Sequence, residues 1–123
     1  MPSLDYHFII VDDDADVRLF LRRLIGRRYE TAKIFDAVNG QEALNLFETH
    51  GADLMIVDHH IPLLDGLSLI RFLRAKGVAI PLVLTSHNPQ VEKLSAGAGA
   101  TRFVDKSQLL ESLEVLLPLW LEK

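Results

Sequence analysis

Leu54-Met55-Ile56-Val57-Asp58-His59-His60-Ile61-Pro62-Leu63-Leu64-Asp65-Gly66 is the stretch from which the architecture can be read. Its first four residues are apolar at every position, without the alternation of a half-exposed strand. Such a run suits a central parallel strand covered on both faces. It stops at Asp58. Residues 61–66 form a loop, because Pro62 and the Asp65-Gly66 pair do not fit together inside a regular element. A parallel strand needs a long crossover to reach its neighbour, and helical spacing follows at once. Leu69, Ile70 and Leu73 share one face of a helix over 67–76, and Gly77 is its stop.

The same unit recurs in both directions. Phe8 to Val11 is a bulky strand ending abruptly in Asp12-Asp13-Asp14. Val17, Phe20, Leu21, Leu24 and Ile25 then recur at steps of three and four, on a helix that starts near an aspartate cap and stops around 26–28. A weaker strand over 31–37 leads to the Asn39-Gly40 turn, and Ala43, Leu44 and Phe47 define a helix ending near His50-Gly51. Downstream, 81–86 reads as a strand, 89–96 as a short helix, 101–105 as a fifth strand and 107–117 as the last helix, with Pro118 interrupting its continuation. Five strand-helix units in series predict an α/β fold, a doubly wound parallel sheet of five strands with helices on both faces.

Composition sets the outer limits. The 123 residues are 49% hydrophobic and 24% charged, an ordinary globular balance that excludes disordered, collagen-like and coiled-coil chains. They suit one domain spanning 1–123. Thirteen basic against 17 acidic residues give net charge −4, with no dense basic run to follow nucleic acid or an anionic membrane. There is no cysteine, hence no disulfide, thiolate metal site or thiol nucleophile. The first five residues carry no basic segment followed by an apolar one, and no apolar run approaches the roughly 20 residues that span a bilayer. A cytoplasmic location is the expectation.

In open α/β sheets, ligands bind beyond the carboxyl ends of the strands. Here those ends carry Asp12-Asp13-Asp14, Asp58, Thr85-Ser86 and Asp105-Lys106, and the first, third, fourth and fifth ends neighbour one another. Two negative charges about 4 Å apart repel by roughly 4 kcal/mol at an effective dielectric near 20, so the cluster calls for a cation. All-oxygen ligands without cysteine favour Mg2+. A carboxylate between Mg2+ and a lysine can attack phosphorus and become an aspartyl phosphate. Asp58 is the natural nucleophile, Asp12 and Asp13 would hold the metal, Lys106 would contact the phosphoryl group, and Thr85 would donate its hydroxyl to it. Asp14 is assigned as a helix cap.

FIIVDDD at 8–14, IVDHHIPLLDG at 56–66, Thr85-Ser86 after LVL, and Lys106 after RFVD together resemble the receiver domain of bacterial two-component response regulators. The resemblance covers essentially the whole chain. It implies a flavodoxin-like sheet in the order 2-1-3-4-5 with five helices, Asp58 as phosphoacceptor, and a Mg2+ site made by Asp12, Asp13, Asp58 and the backbone carbonyl of His60. It also implies Thr85 as the switch hydroxyl, Lys106 as the family's lysine, and Phe103 as the side chain that turns inward when Thr85 moves. The implied donor is a partner histidine kinase or phosphotransfer protein, and the implied output contact is the face formed by the fourth helix, fifth strand and fifth helix. The chain would catalyse only its own phosphorylation and dephosphorylation.

Three departures from the family pattern bear on the site. Ile61 and Leu64 stand where methionines are usual. Ser107 follows Lys106 in place of proline, so a trans Lys106–Ser107 bond is expected. His60 and His87 occupy the variable positions that influence how long the phosphoryl group survives, and histidine there would make that lifetime pH-sensitive near neutrality. Adjacent His59 and His60 would point apart in an extended chain, which argues against zinc. Ala96 to Ala100 does not follow a strand and open a helix, so its glycines are no dinucleotide fingerprint. Three aspartates after the first strand would repel a flavin phosphate. A receiver-fold interaction module with vestigial phosphorylation is the principal alternative. Residues 116–123 begin a linker or a partner-contact tail, and Leu119, Trp120 and Leu121 either pack across the domain or contact a second copy or an output domain.

Overall fold

A computed structural model describes residues 5–122, and within them the strands alternate their side chains between two helical layers. The elements are β1 (His7–Val11), α1 (Ala15–Arg28), β2 (Lys33–Ala37), α2 (Gly40–His50), β3 (Leu54–Asp58), α3 (Gly66–Ala75), β4 (Leu82–Ser86), α4 (Pro89–Ala98), β5 (Arg102–Asp105) and α5 (Leu109–Leu121). A short 3-10 turn, Lys106–Gln108, joins β5 to α5. The sheet is parallel in the order β2-β1-β3-β4-β5. Both the strand order and the helix count agree with expectation. Met1 to Leu4 and Lys123, the two ends of the expected 1–123 domain, lie outside the described residues.

Period-two alternation sorts the core. Ile9, Val11, Met55, Val57, Leu82 and Leu84 face one way and pack with Leu69, Ile70, Leu73 and Val91 of α3 and α4. Phe8, Ile10, Leu54, Ile56 and Val83 face the other way, onto Leu21, Leu24 and Ile25 of α1 and Leu113, Leu116 and Leu117 of α5. Every residue of β3 and β4 is buried, as a strand covered on both faces requires.

Element ends differ from the sequence reading in several places. β2, β4 and β5 each start one or two residues later than expected, and α4 runs on to Ala98, so Gly97 lies inside the helix. Gly99, at φ 102°, supplies the left-handed cap. The larger correction is at Pro118, which lies within α5 instead of interrupting it near 117. Tertiary contacts override the local signal there. Leu116 and Leu117 are buried, and Trp120 and Leu121 pack beside them on the α1 layer. The Tyr6 hydroxyl donates to the Leu121 carbonyl at 2.9 Å, and Glu122 accepts from Arg28 at 2.9 Å twice and from Tyr29 at 2.6 Å. Leu119 alone of the last apolar trio is strongly exposed.

Arg74, on α3, closes the opposite layer. Its guanidinium donates to the carbonyls of Val78, Ile80 and Gly99, each at 2.8 Å, and to the Thr101 hydroxyl at 3.1 Å. Burial pulls its pKa downward. Arg74→Ala is expected to leave those carbonyls without their donor and to lower stability by about 2 kcal/mol. Urea unfolding checks this, and an unchanged midpoint would refute it.

Candidate functional site

The carboxyl edge of the sheet gathers the acidic residues because three adjacent strands end level there. In register, Val11 lies opposite Val57, and Asp58 lies opposite Thr85. Asp12 follows directly on β1, its N–H donating to the Ala37 carbonyl at 3.0 Å. Carboxylate oxygens of Asp12, Asp13 and Asp58 all lie within 4.8 Å of one another. Asp12 and Asp58 are buried, while Asp13 is exposed. The Lys106 ammonium enters between the two buried acids, 2.9 Å from Asp12 Oδ2 and 3.3 Å from Asp58 Oδ2. Asp14 caps α1, accepting from the Asp16 N–H at 2.9 Å.

The electrostatics follow from that crowding. Burial, reinforced by the charge of Asp12, raises the pKa of Asp58 above the usual carboxylate range against the opposing pull of Lys106. Burial works against the charge of Lys106 too. Its contact with Asp12 and the charges of both acids outweigh that, so its pKa rises. Asp58 Oδ1 is buried without any hydrogen-bond partner, and Asp12 Oδ2 is met only by the ammonium, outside hydrogen-bond alignment. An oxygen left so is costly unless something else fills its coordination. Three hard oxygen donors, one of them orphaned and buried, fit a small divalent cation.

The remaining expected site residues fall at differing distances from this centre. Thr85 is buried, its hydroxyl making only a long 3.4 Å contact with the Val57 carbonyl. Phe103 is half-buried against the core layer of α2, α3 and α4, and His60 and His87 are exposed. His87 is close enough to Asp105 to lower that residue's pKa, behind the larger effect of two hydrogen bonds from Ser107. The rings of His59 and His60 do not point apart. They meet edge to face with centroids 4.8 Å apart, because the chain bends after β3. His59 Nδ1 accepts from the Leu67 N–H at 3.3 Å, and burial lowers its pKa. Neither histidine joins a metal cluster. Among the described residues, Asp12, Asp13 and Asp58 form the one group of three suited to an ion.

Ser107, which follows Lys106, is tied to Asp105. Its N–H and hydroxyl both donate to Asp105 Oδ1, at 2.9 and 2.7 Å, which shapes the 3-10 turn carrying Lys106. The bond is trans, as expected, since the described residues contain no cis peptide. Two contributors were missed from sequence. Gly66 starts α3 hard against the backbone of Asp58 and His59, and Arg18 on α1 donates to the Asp12 carbonyl at 2.7 Å. The Asp-Gly pair hinted only at a turn, and nothing local marks Arg18.

An acidic pocket at the carboxyl edge of a 2-1-3-4-5 sheet, with a lysine aimed into it, defines a receiver fold and a site suited to phosphorylation. The chain belongs to the response regulator receiver domain family, whose description matches residues 8–117. It is 35% identical over 107 residues to "Transcriptional regulatory protein PrrA" of Mycobacterium tuberculosis, covering 85% of this chain and 45% of that protein. It is 33% identical over 112 residues to "Response regulator MprA" of Mycobacterium ulcerans, covering 89% and 47%. The chain thus spans about half the length of these relatives. The solved N-terminal domain of an uncharacterized Wolinella succinogenes protein superposes with TM-score 0.78 at 26% identity, covering 97% of this chain and 98% of that one. No helix among the described residues is long and apolar enough to cross a membrane.

Proposed function

We propose that this domain is a phosphorylation-driven switch with Asp58 as the acceptor. The buried, unpartnered Asp58 Oδ1 beside two further carboxylates and an ammonium carries the reading. A carboxylate oxygen of Asp58 attacks the phosphorus of a phosphohistidine on a partner kinase or phosphotransfer protein. The P–N bond breaks, the imidazole leaves with its electron pair and takes up a proton, and an aspartyl phosphate remains. Asp12, Asp13, Asp58 and the His60 carbonyl would hold Mg2+, which when bound neutralises phosphoryl oxygens. Lys106 shifts from pairing two carboxylates to pairing the phosphoryl group. Thr85 exchanges its long bond to Val57 for a phosphoryl oxygen, and Phe103 turns into the space vacated. Water then releases phosphate, at a rate tuned by His60 and His87 at the ends of β3 and β4.

The output surface of this reading is α4-β5-α5. Leu94 on α4 and Val115 and Leu119 on α5 stand 53%, 69% and 62% exposed. It would meet an output domain or a second copy of the chain. Transcriptional regulation and the kinase partner are suggested by the relatives' kind, and a cytoplasmic site of action fits both.

The test is incubation with acetyl phosphate and Mg2+ followed by intact mass. One phosphoryl adduct is expected in the wild type and none in Asp58→Asn or without Mg2+. Absence of the adduct in wild type would instead favour a constitutive interaction module. The same variant reads the electrostatics. An acid whose pKa rises on folding stabilises the fold least once it is ionised, so Asp58 costs stability as pH climbs above its unfolded value near 4. Asp58→Asn is therefore expected to be more stable by about 1 kcal/mol at pH 7 without Mg2+. The gain should vanish near pH 3.

A further inference from the structure

Asp12 is hydrogen-bonded at its N–H, its carbonyl and one carboxylate oxygen, and the other oxygen meets only the Lys106 charge. Its N–H donates to the Ala37 carbonyl at 3.0 Å, its Oδ1 accepts from the Asp14 N–H at 2.9 Å, and its Oδ2 faces Lys106. Its carbonyl accepts at 2.7 Å from Nη1 of Arg18, six residues on in the first turn and a half of α1. That guanidinium is not free to wander. Its side chain is only 17% exposed, and its Nε lies 3.6 Å from Asp36 Oδ2 on β2. Asp36 is fixed in turn by Arg22, whose Nη2 donates to Asp36 Oδ1 at 2.8 Å and to the Ile34 carbonyl at 2.9 Å. A polar chain thus runs from the edge strand through α1 to the backbone of a proposed metal ligand.

We propose that Arg18, oriented by Asp36, is a positioning residue that sets the Asp12 carboxylate for the divalent cation, an inference that rests on the Mg2+ reading above. Two physical effects of Arg18 have opposite signs, and this makes the role testable. As a cation bonded to Asp12, it repels Mg2+, so on charge alone its removal tightens binding. As an anchor that holds the Asp12 backbone between β2 and α1, it keeps the carboxylate aimed, so its removal weakens binding. Groups that orient a metal ligand typically contribute tenfold or more in metal affinity. A planar fork reaches Asp12 and Asp36 together, whereas an ammonium presents a single point charge.

The experiment is Mg2+ titration of the 123-residue chain, followed by calorimetry and by amide shifts at Asp12, Asp13 and Asp14. Arg18→Ala is expected to raise the Kd about tenfold. Arg18→Lys, which keeps the charge and loses the fork, should raise it nearly as much, and it carries the test if Arg18→Ala does not fold. Asp36→Ala should weaken binding less, and the double variant no more than Arg18→Ala alone, since both act through one chain of contacts. An unchanged or tighter Kd in folded Arg18→Ala, or full retention in Arg18→Lys, overturns the positioning role while leaving the Mg2+ reading intact. A wild type that takes up no Mg2+ overturns both.

Discussion

Lys106→Met is expected to lose about 3 kcal/mol of stability at pH 7 without Mg2+. The Lys106 side chain is 11% exposed, and among the described residues it is the one cation paired with two carboxylates whose side chains are themselves 2% and 4% exposed. Removing it leaves two buried anions facing each other, the costliest way to break such a pair. The pH dependence has a defined sign. The pKa of Lys106 rises on folding, so its contribution is fully present below its unfolded value near 10.4 and is lost only as pH climbs through the raised one. As pH falls toward 4 the deficit of the variant should shrink, because Asp58, whose pKa rises on folding, then takes up its proton. Mg2+ should narrow it, because each protein gains by its own affinity for the cation and the variant, with no ammonium competing for the acids, gains more. Because Lys106 competes with Mg2+ for the same acids, Lys106→Met should bind Mg2+ more tightly than wild type. Equal melting of the two proteins in EDTA would refute this account.

Gly66→Ala is expected to cost about 2–3 kcal/mol and to slow adduct formation at Asp58. A methyl group there would lie 2.7 Å from His59 Cα, 2.8 Å from the Asp58 carbonyl oxygen and 2.8 Å from Leu84 Cδ1. Two of those atoms are backbone in or next to β3, so relief means moving α3 or the acceptor. Gly97→Ala provides the contrast. Gly97 lies in α4 with nothing within 4 Å of its added methyl, and alanine is the better helix former, so a gain of about 0.5–1 kcal/mol is expected. Urea midpoints and acetyl phosphate time courses of both variants decide the matter. A Gly66→Ala protein as stable as Gly97→Ala would show that the close approach is dispensable.

The strands were legible because β3 and β4 are apolar throughout and stop on polar residues, a signal carried in consecutive positions. Asp12, Asp58, Thr85 and Lys106 could be picked out because they stand at the carboxyl ends of β1, β3, β4 and β5, and topology alone brings strand ends together. What escaped was set by partners distant in sequence. Pro118 reads as a breaker, yet Tyr6, Arg28 and Tyr29 hold the chain beyond it in a helix. Arg18 looks like any polar residue of an amphipathic helix until β2 places Asp36 next to it. The bend that brings the His59 and His60 rings together depends on the Gly66 and Ile61 N–H groups closing on the His59 carbonyl.

Held at both ends, α5 behaves as a rod laid across the sheet. Its 13 residues measure about 20 Å at roughly 1.5 Å each. At one end the turn 106–108 ties it to the acids; at the other, Glu122 is bolted to Arg28 and Tyr29 at the end of α1. A tug on Lys106 therefore has a stiff mechanical path to the far rim that bypasses the strands. Any tilt of that rod must either carry α1 with it or shear the Glu122 fastening, so loosening the fastening changes how far a disturbance at the acids travels.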